Sequence, residues 1–170
     1  GSWRGVNDPR PDPAPQAPQS RTNRSHPDSK EAIMHTPSET QVLAAADAIV
    51  AAFSATDTEA YFAAFSADAS FIFHPEPARL NSRNEYEELW ASWLESGWHV
   101  VSCDSSDRLV QTFPGGAVFS HTVATSIDSA EGPASYVERE SIIFRVSEGE
   151  QLIAVHEHLS TIPEAEGDAA

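Results

Sequence analysis

The sequence contains a single cysteine, Cys103, so no disulfide can form within the chain. We expect Cys103 to be a small buried side chain in a strand, and we expect a cytoplasmic protein because paired cysteines are missing. No apolar run approaches the roughly 20 residues of a membrane-spanning helix, and the N-terminal residues lack the apolar core of a signal peptide. A Gly-rich phosphate loop and a G-x-S-x-G motif are also absent, so neither a nucleotide-binding loop nor a serine-hydrolase elbow is indicated.

Basic residues are scarce. The chain has 10 Lys and Arg against 26 Asp and Glu, which gives a formal net charge of −16. Five of those basic residues lie within residues 1–33, so the rest of the chain is still more acidic. A surface of this charge repels nucleic acid and anionic membranes. We therefore expect no nucleic-acid or membrane partner, and we interpret the charge as a contribution to solubility.

The composition changes near residue 36. Residues 1–35 are rich in Pro, Ser, Asn, Gln and Arg and offer few apolar side chains to bury, which predicts a flexible tail. A proline motif bound by another protein is the alternative, and the single Met34 leaves open that the residues before it are not native. Residues 36–163 have the patterns of one folded domain, of a length that suits a substantial core. Residues 164–170 form a short acidic tail.

Three helices are predicted in the first half of the domain. Their start signals are Thr36-Pro37-Ser38-Glu39, the segment Thr56 to Glu59, and the Ser82/Glu85 capping box. The first helix carries apolar residues at helical spacing up to Phe53. The second carries Tyr61, Phe62 and Phe65, and the third carries Trp90 and Trp93 before it stops at Gly97.

The remaining segments are typical of strands. One strand over 68–74 precedes the third helix, and four more follow it over 98–110, 117–127, 136–146 and 151–162. The polar residues Asp104 to Asp107 predict a bulge or a break within the first of these four. Short turns such as Pro114-Gly115-Gly116 join the late strands, which indicates an antiparallel meander. The fold class is therefore α+β.

Alternation along the late strands selects the side chains that face the core. On the final strand the apolar face carries Ile153, Val155, Glu157 and Leu159. The same rule turns His121 inward on the strand 117–127, and Glu138 and Glu140 inward on the strand 136–146. A buried carboxylate is costly unless it is paired, hydrogen-bonded or lining a wet cavity. We therefore predict a pocket whose acid–base residues are His121, Glu138, Glu140 and Glu157.

Aromatic and apolar side chains near these residues are the candidates for contact with a small-molecule ligand. They are Phe71, Phe73, Trp90, Trp93, Tyr136 and Leu159. The alternative for Glu138 or Glu140 is a place in water at a strand end, or an ion pair with Arg83, Arg139 or Arg145. The alternative for Glu157 is a structural ion pair with an arginine.

His156 and His158 share the opposite face of the final strand. Such an H-x-H pair can chelate a metal, but no third ligand stands at motif spacing. We predict no metal and no cofactor, and we place the two histidines on the outer face of the sheet, at a subunit contact.

The order of elements, together with the segments 139–145 and 153–160, resembles SnoaL-like proteins of the nuclear transport factor 2-like superfamily. The branch most similar to this chain is the calcium/calmodulin-dependent kinase II association domain, whose last strand also ends in a His-x-His-x-Ser pattern. The resemblance covers residues 37–163. It implies a cone-shaped half-barrel, in which a curved, mostly antiparallel sheet wraps around helices and encloses a cavity, and a homodimer packed through the sheet.

The resemblance also has consequences for the site. The steroid-isomerase branch uses an Asp base and a Tyr/Asp oxyanion pair, for which Tyr61 and Tyr136 are the tyrosine candidates near the core. In the kinase-association branch the cavity holds arginines in the last two strands, whereas the matching positions here are Ile142 and Leu159. An acidic cavity favours neutral or cationic ligands instead.

Two functions fit these patterns. One is an enzyme that acts on a small molecule by proton transfer, in an isomerisation, dehydration or cyclisation. The other is a non-catalytic module for ligand binding or oligomerisation. Convergence of His121 with the glutamates around an open cavity favours the enzyme, whereas a cavity filled by Phe and Trp side chains favours the module.

Overall fold

The computed structural model describes residues 34–165. The predicted tail over residues 1–35 lies outside the described residues except for its last two positions, and the acidic tail over 164–170 except for its first two. Both tails stay predictions. Within the described part of the chain, no helix is long and apolar enough to cross a membrane.

Helix α1 spans Glu39–Ser54 and begins two residues later than the sequence predicted. Its N-cap is Ser38, whose Oγ accepts a hydrogen bond from the Gln41 backbone, while Gln41 Oε1 accepts one from the Ser38 backbone. This reciprocal capping box satisfies two amides that the first turn would otherwise leave unpaired. The prediction of a cap at Thr36 with Glu39 as its partner was therefore wrong, because Ser38 and Gln41 form the complete box.

Helices α2, Thr58–Ala63, and α3, Arg83–Glu95, are capped by Asp57 and Ser82. Phe65 lies in the first strand rather than in α2. The predicted box at Ser82 is half formed, because Ser82 accepts from the Glu85 backbone while the Glu85 carboxylate accepts from the Asn81 backbone instead. Gly97 follows α3 with a φ of 80°, the left-handed conformation that glycine adopts at helix ends.

Five strands form one open, curved sheet, which confirms the α+β class and the mostly antiparallel sheet. The strands are β1 Phe65–Phe73, β2 His99–Phe113, β3 Gly116–Asp128, β4 Ala134–Val146 and β5 Leu152–Thr161. Their order in the sheet is β1-β5-β4-β3-β2, so β2 to β5 form the predicted meander. The β1–β5 pair is parallel, and the other pairs are antiparallel.

The core lies between the helices and the inner face of the sheet. Its largest fully buried side chains are Trp90, Tyr61, Phe65, Phe71, Phe119, Phe144, Ile142 and Val42. Tyr61 of α2 stacks on Trp90 of α3, with ring centroids 5.0 Å apart. Offset aromatic pairs of this kind add to the stabilisation from burial alone, so the two short helices are anchored by their aromatic side chains.

The predicted inward faces of β3 and β4 are confirmed, but the face of β5 is only partly right. Glu157 is buried as predicted. Upstream of it, Ala154 is buried instead of Ile153 and Val155. The register explains this, because Ile143 pairs with His156 while Phe144 pairs with Ala154, leaving Val155 as a bulge. A one-residue bulge inverts the face of every residue beyond it.

The predicted bulge in β2 is confirmed. The register between β2 and β3 shifts between Ser106 and Leu109, and Asp107 has a φ of 49°. Ser105, before the bulge, and Val110, after it, therefore both contact the interior even though their positions differ in parity. The bulge lets one long strand present both residues to the same side.

Gly116 at the start of β3 supplies a test of this packing. A Cβ there would overlap the backbone oxygen of Phe144, which cannot move away without disturbing β4. We expect Gly116→Ala to lower the free energy of unfolding by about 1–3 kcal/mol. Urea unfolding monitored by circular dichroism measures this. Gly149→Ala is the matched control, since nothing lies within 4 Å of its added carbon. Equal stabilities of the two variants would contradict the packing described here.

Candidate functional site

A cavity of about 320 Å³ lies between the helices and the inner face of the sheet. Its size is within the range of small-molecule sites. The residues that line it come from all the helices and from every strand, and they are Ile49, Val50, Phe53, Tyr61, Phe73, His74, Pro75, Glu76, Tyr86, Trp93, Trp98, Cys103, Val123, Thr125, Tyr136, Glu138, Glu140, Glu157 and Leu159. Exposed side chains of His74 and Tyr136 mark its rim.

Four of the six predicted ligand-contact residues line this cavity: Phe73, Trp93, Tyr136 and Leu159. Phe71 and Trp90 do not, and this part of the prediction needs correction. Both are almost fully buried in the aromatic core behind the wall. Strand and helix periodicity identifies a buried face, but it does not distinguish side chains that fill the core from those that border a space within it.

Three glutamates form a row along the wall of the cavity. Glu138 and Glu140 alternate along β4, and Glu157 lies on the adjacent strand β5, opposite Ile142. Only 8% of Glu138 and 3% of Glu157 is exposed. The structure therefore brings together the three carboxylates that the alternation along the strands predicted to face inward.

Glu140 and Glu157 form a carboxyl pair whose side chains hydrogen-bond to each other. Burial raises the pKa of Glu140 to about 7, and burial together with the charge of Glu140 raises the pKa of Glu157 well above its ordinary value. Two carboxyl groups in such a place cannot both ionise cheaply. The pair therefore holds a shared proton at neutral pH.

Two tyrosines extend this pair toward the helices. Tyr61 Oη donates to Glu157 Oε2 at 3.2 Å and lies 3.1 Å from Tyr86 Oη. Burial is the main cause that raises the pKa of both phenols well above the ordinary value, so both remain protonated. Tyr61 was a sequence candidate, but Tyr86 was missed because its helical spacing resembles that of any core residue. Tyr86 lies one turn before Trp90 on the same helix face, and this spacing was the sequence feature that could have identified it.

His121 lies one layer behind the cavity wall and does not line the cavity. Its Nε2 is 2.8 Å from Glu140 Oε1, and its Nδ1 is 2.6 Å from Ser105 Oγ. Burial, followed by the charge of Arg108, lowers the pKa of His121 to about 4, so the ring is neutral at neutral pH. A neutral ring with both nitrogens hydrogen-bonded fixes the orientation of the Glu140 carboxyl. Sequence parity placed His121 inward, but it gave no sign of Ser105.

Two further residues of the wall have defined partners. His74 Nε2 hydrogen-bonds to Glu138 Oε2 at the rim. Cys103 Sγ accepts from Thr125 Oγ1 at 3.8 Å, and burial raises the pKa of this thiol to about 11. The thiol is therefore protonated at neutral pH and is a poor nucleophile. His74 ends the predicted strand 68–74, where nothing in the sequence linked it to Glu138.

The outer-face histidines are not part of the cavity. His156 Nδ1 is 2.8 Å from Ser70 Oγ on the neighbouring strand β1, and the His156 and His158 rings lie 6.1 Å apart. Within residues 34–165, no cluster of three or more His, Cys, Asp or Glu side chains is arranged to hold a metal ion. The absence of a metal stays a prediction.

Comparison with known proteins identifies the fold independently. The model of one protein family, described as a SnoaL-like domain, matches residues 42–164. No curated protein matches the sequence. A solved structure described as a calcium/calmodulin dependent protein kinase II association domain, from Xanthomonas campestris, is 17% identical, with a TM-score of 0.62 over 76% of this chain and 91% of that one.

Two other solved structures are similar to the same degree. A ketosteroid isomerase-like protein from Erwinia carotovora atroseptica is 19% identical, with a TM-score of 0.62 over 73% of this chain and 95% of that one. An NTF2-like protein of unknown function in nutrient uptake, from Rhodospirillum rubrum, is 18% identical, with a TM-score of 0.64 over 72% of this chain and 98% of that one. At these identities the likeness concerns the fold alone.

The shared proton predicts a pH-dependent stability. A carboxyl whose pKa is raised on folding holds its proton more tightly in the native state, so its contribution to stability falls as pH rises from about 4.5 through about 7. We expect Glu157→Gln to remove this cost. Relative to the unaltered protein, the variant should gain about 1–3 kcal/mol between about pH 5 and about pH 8.

Urea unfolding at several pH values measures this difference. The lowered pKa of His121 contributes the opposite slope, between about pH 4 and 6.5, but it does so in both proteins and largely cancels. Glu148→Gln, in the exposed β4–β5 turn, removes the same charge and should show a flat difference. A difference for Glu157→Gln that is flat, or that falls as pH rises, would rule out the shared proton.

Proposed function

The chain belongs to the SnoaL-like domain family, as the sequence resemblance predicted, and from this membership we propose that it binds a small molecule in the cavity and transfers a proton on it. The family fold is compatible with ligand binding and with isomerase-like roles. The reaction class we propose is proton transfer of the isomerase, dehydratase or cyclase type, without a cofactor.

The buried Glu140–Glu157 pair in the wall of the cavity is the main support for this proposal. A pair of carboxyls that shares a proton offers one ionised base and one protonated acid at the same pH. Acid–base groups act best when their pKa lies near the working pH, and burial moves the pKa of Glu140 to about 7. Burying such a pair costs stability, so a purely structural role explains it poorly.

The reaction that fits this geometry begins at a C–H bond beside a carbonyl group of the ligand. The ionised carboxylate takes the proton from carbon, and the C–H electron pair moves to form an enolate. The protonated carboxyl donates a hydrogen bond that stabilises the enolate oxygen, and Tyr61 holds Glu157 in place through the hydrogen bond that it donates. Return of the proton to another atom of the ligand completes an isomerisation and restores the pair.

The other predicted site residues take supporting roles in this proposal. His121 does not reach the cavity and positions Glu140 from behind. Glu138 lies with His74 at the rim. The side chains of Phe73, Trp93 and Leu159 supply an apolar wall for the body of the ligand. Exclusion of water by this wall strengthens each polar contact at the pair.

Hydrogen exchange at carbon tests the proposal without knowledge of the natural substrate. The probe is β-tetralone, a bicyclic ketone with acidic C–H bonds beside its carbonyl, incubated with the protein in deuterium oxide. We expect the protein to accelerate deuterium uptake above the buffer rate. Glu157→Gln and Glu140→Gln should each reduce this acceleration by about 100-fold or more. Mass spectrometry of the recovered ketone measures the uptake.

Glu148→Gln serves as the control for this experiment, because it removes one exposed carboxylate far from the pair. It should exchange at the unaltered rate. Binding of β-tetralone without accelerated exchange would support the alternative function, a non-catalytic ligand-binding module. Acceleration that persists in both glutamine variants would exclude the pair as the acid–base unit.

We also propose that the protein is a homodimer packed through the outer face of the sheet. Leu109 on β2 and Val137 on β4 are each more than half exposed, on the side of the sheet away from the cavity. Exposed apolar side chains on one sheet face favour association. One structural neighbour is described as an association domain, which supports the same assembly.

A charge on this face tests the dimer. We expect the unaltered protein to have the mass of a dimer by light scattering, and Val137→Lys to have the mass of a monomer at micromolar concentration, because a lysine pair at a symmetric contact is buried without a partner. Leu94→Lys is the control, since Leu94 is a similarly exposed apolar residue on α3. A monomeric unaltered protein, or a Val137→Lys dimer as stable as the control, would refute this assembly.

A further inference from the structure

The carboxylate row in the cavity wall lacks a permanent positive partner. Among the described residues that line the cavity, none is Lys or Arg. The nearby arginines are engaged elsewhere: Arg139 donates to the backbone oxygen of Thr161, and Arg108 pairs with Asp47. The charge of the wall is therefore negative, and Glu76 in the turn after β1 adds to it. A negative cavity repels an anion and attracts a cation.

Glu138 has a carboxylate oxygen to spare for a ligand. His74 hydrogen-bonds to Oε2, and no other described residue bonds to this carboxylate. The residue is 92% buried, yet no buried side-chain oxygen in residues 34–165 lacks a partner. Oε1 must therefore be accessible, and Glu138 is one of the residues that line the cavity. A nearly buried carboxylate oxygen without a donor is a strong site for a charge-assisted hydrogen bond.

Glu140 and Glu157 differ from Glu138 in this respect. They bond to each other, and in addition Glu140 is bonded to His121 and Glu157 to Tyr61. A pair that shares a proton also carries less negative charge than two separate carboxylates. The rim, rather than the pair, is therefore the place where a cation gains most.

Tyr136 supplies an aromatic surface beside Glu138. It lies two residues earlier on the same face of β4, lines the cavity and is 39% exposed at the rim. The negative face of an aromatic ring attracts a cation, most strongly where water is partly excluded. A carboxylate oxygen next to such a ring is a common way to recognise an organic ammonium group.

We propose that the ligand of this cavity carries a positively charged amine, held by Glu138 Oε1 beside the ring of Tyr136. Its apolar body extends past Trp93 toward the Glu140–Glu157 pair. This inference rests on the proposed function, since it takes the cavity as the ligand site and names the chemical class of the ligand. It leaves the pair free for proton transfer.

Three probes that share one ring system and differ in charge test the inference. Naphthylmethylamine is cationic at about pH 7.5, naphthylmethanol is neutral and naphthoate is anionic. Titration calorimetry on the full chain measures each affinity. We expect the amine to bind at least about tenfold more tightly than the alcohol, and the carboxylate to bind most weakly. The advantage of the amine should shrink as salt is added.

Glu138→Gln should bring the amine to within about threefold of the alcohol, while Glu148→Gln in the β4–β5 turn should keep the full ratio. The amine and the alcohol are measured on the same preparation of each variant. A loss of folded protein therefore lowers the binding stoichiometry and leaves the ratio of the two affinities unchanged. If the alcohol binds as well as the amine, the inference fails and the proposed cavity function stands. If none of the three probes binds, both the inference and the proposed function fail.

Discussion

The burial of two hydrogen-bonded carboxyl groups, Glu140 and Glu157, in the wall of a largely apolar cavity is the constraint on which the site depends. Apolar surroundings make a second negative charge expensive, so the pair holds on to a proton that solvent-exposed glutamates would lose. Tyr61, His121 and Ser105 form hydrogen bonds around the pair and fix its geometry. The same burial that makes the pair costly to fold also moves its pKa into the range where proton transfer is efficient.

Bulges in the strands, as well as the regular alternation of side chains, place these groups on the inner face of the sheet. The bulge at Val155 lets both Ala154 and Glu157 face inward, although they lie an odd number of residues apart. The bulge at Asp107 does the same for Ser105 and Val110 on β2. Without the first bulge, the strand that packs Ala154 against the core would turn Glu157 toward the outer face. The arrangement of the candidate site therefore depends on the bulges that bend the sheet, and an ideal sheet would not produce it.

The sequence predicted the fold and most of the inward-facing side chains around the cavity, for physical reasons that also explain what it missed. Alternation on β3 and β4 is regular, so parity placed Glu138, Glu140 and His121 on the inner face. The bulge in β5 left no signal in its run of apolar residues, so Ile153 and Val155 were assigned to the wrong face. Partners from distant segments, such as Tyr86 and Ser105, meet only in the tertiary structure. Periodicity also cannot separate core residues such as Phe71 and Trp90 from those that line a cavity.

Whether the Glu140–Glu157 pair retains a proton at neutral pH can be measured by ¹³C NMR of protein labelled at the glutamate side chains. Chemical shifts of the carboxyl carbons are followed from about pH 3 to about pH 9, and the two resonances are assigned with single glutamine variants. We expect these two carboxyls to titrate together, with one proton lost only near pH 7 or above. Ionisation of both carboxyls below about pH 5, as for ordinary glutamates, would contradict it.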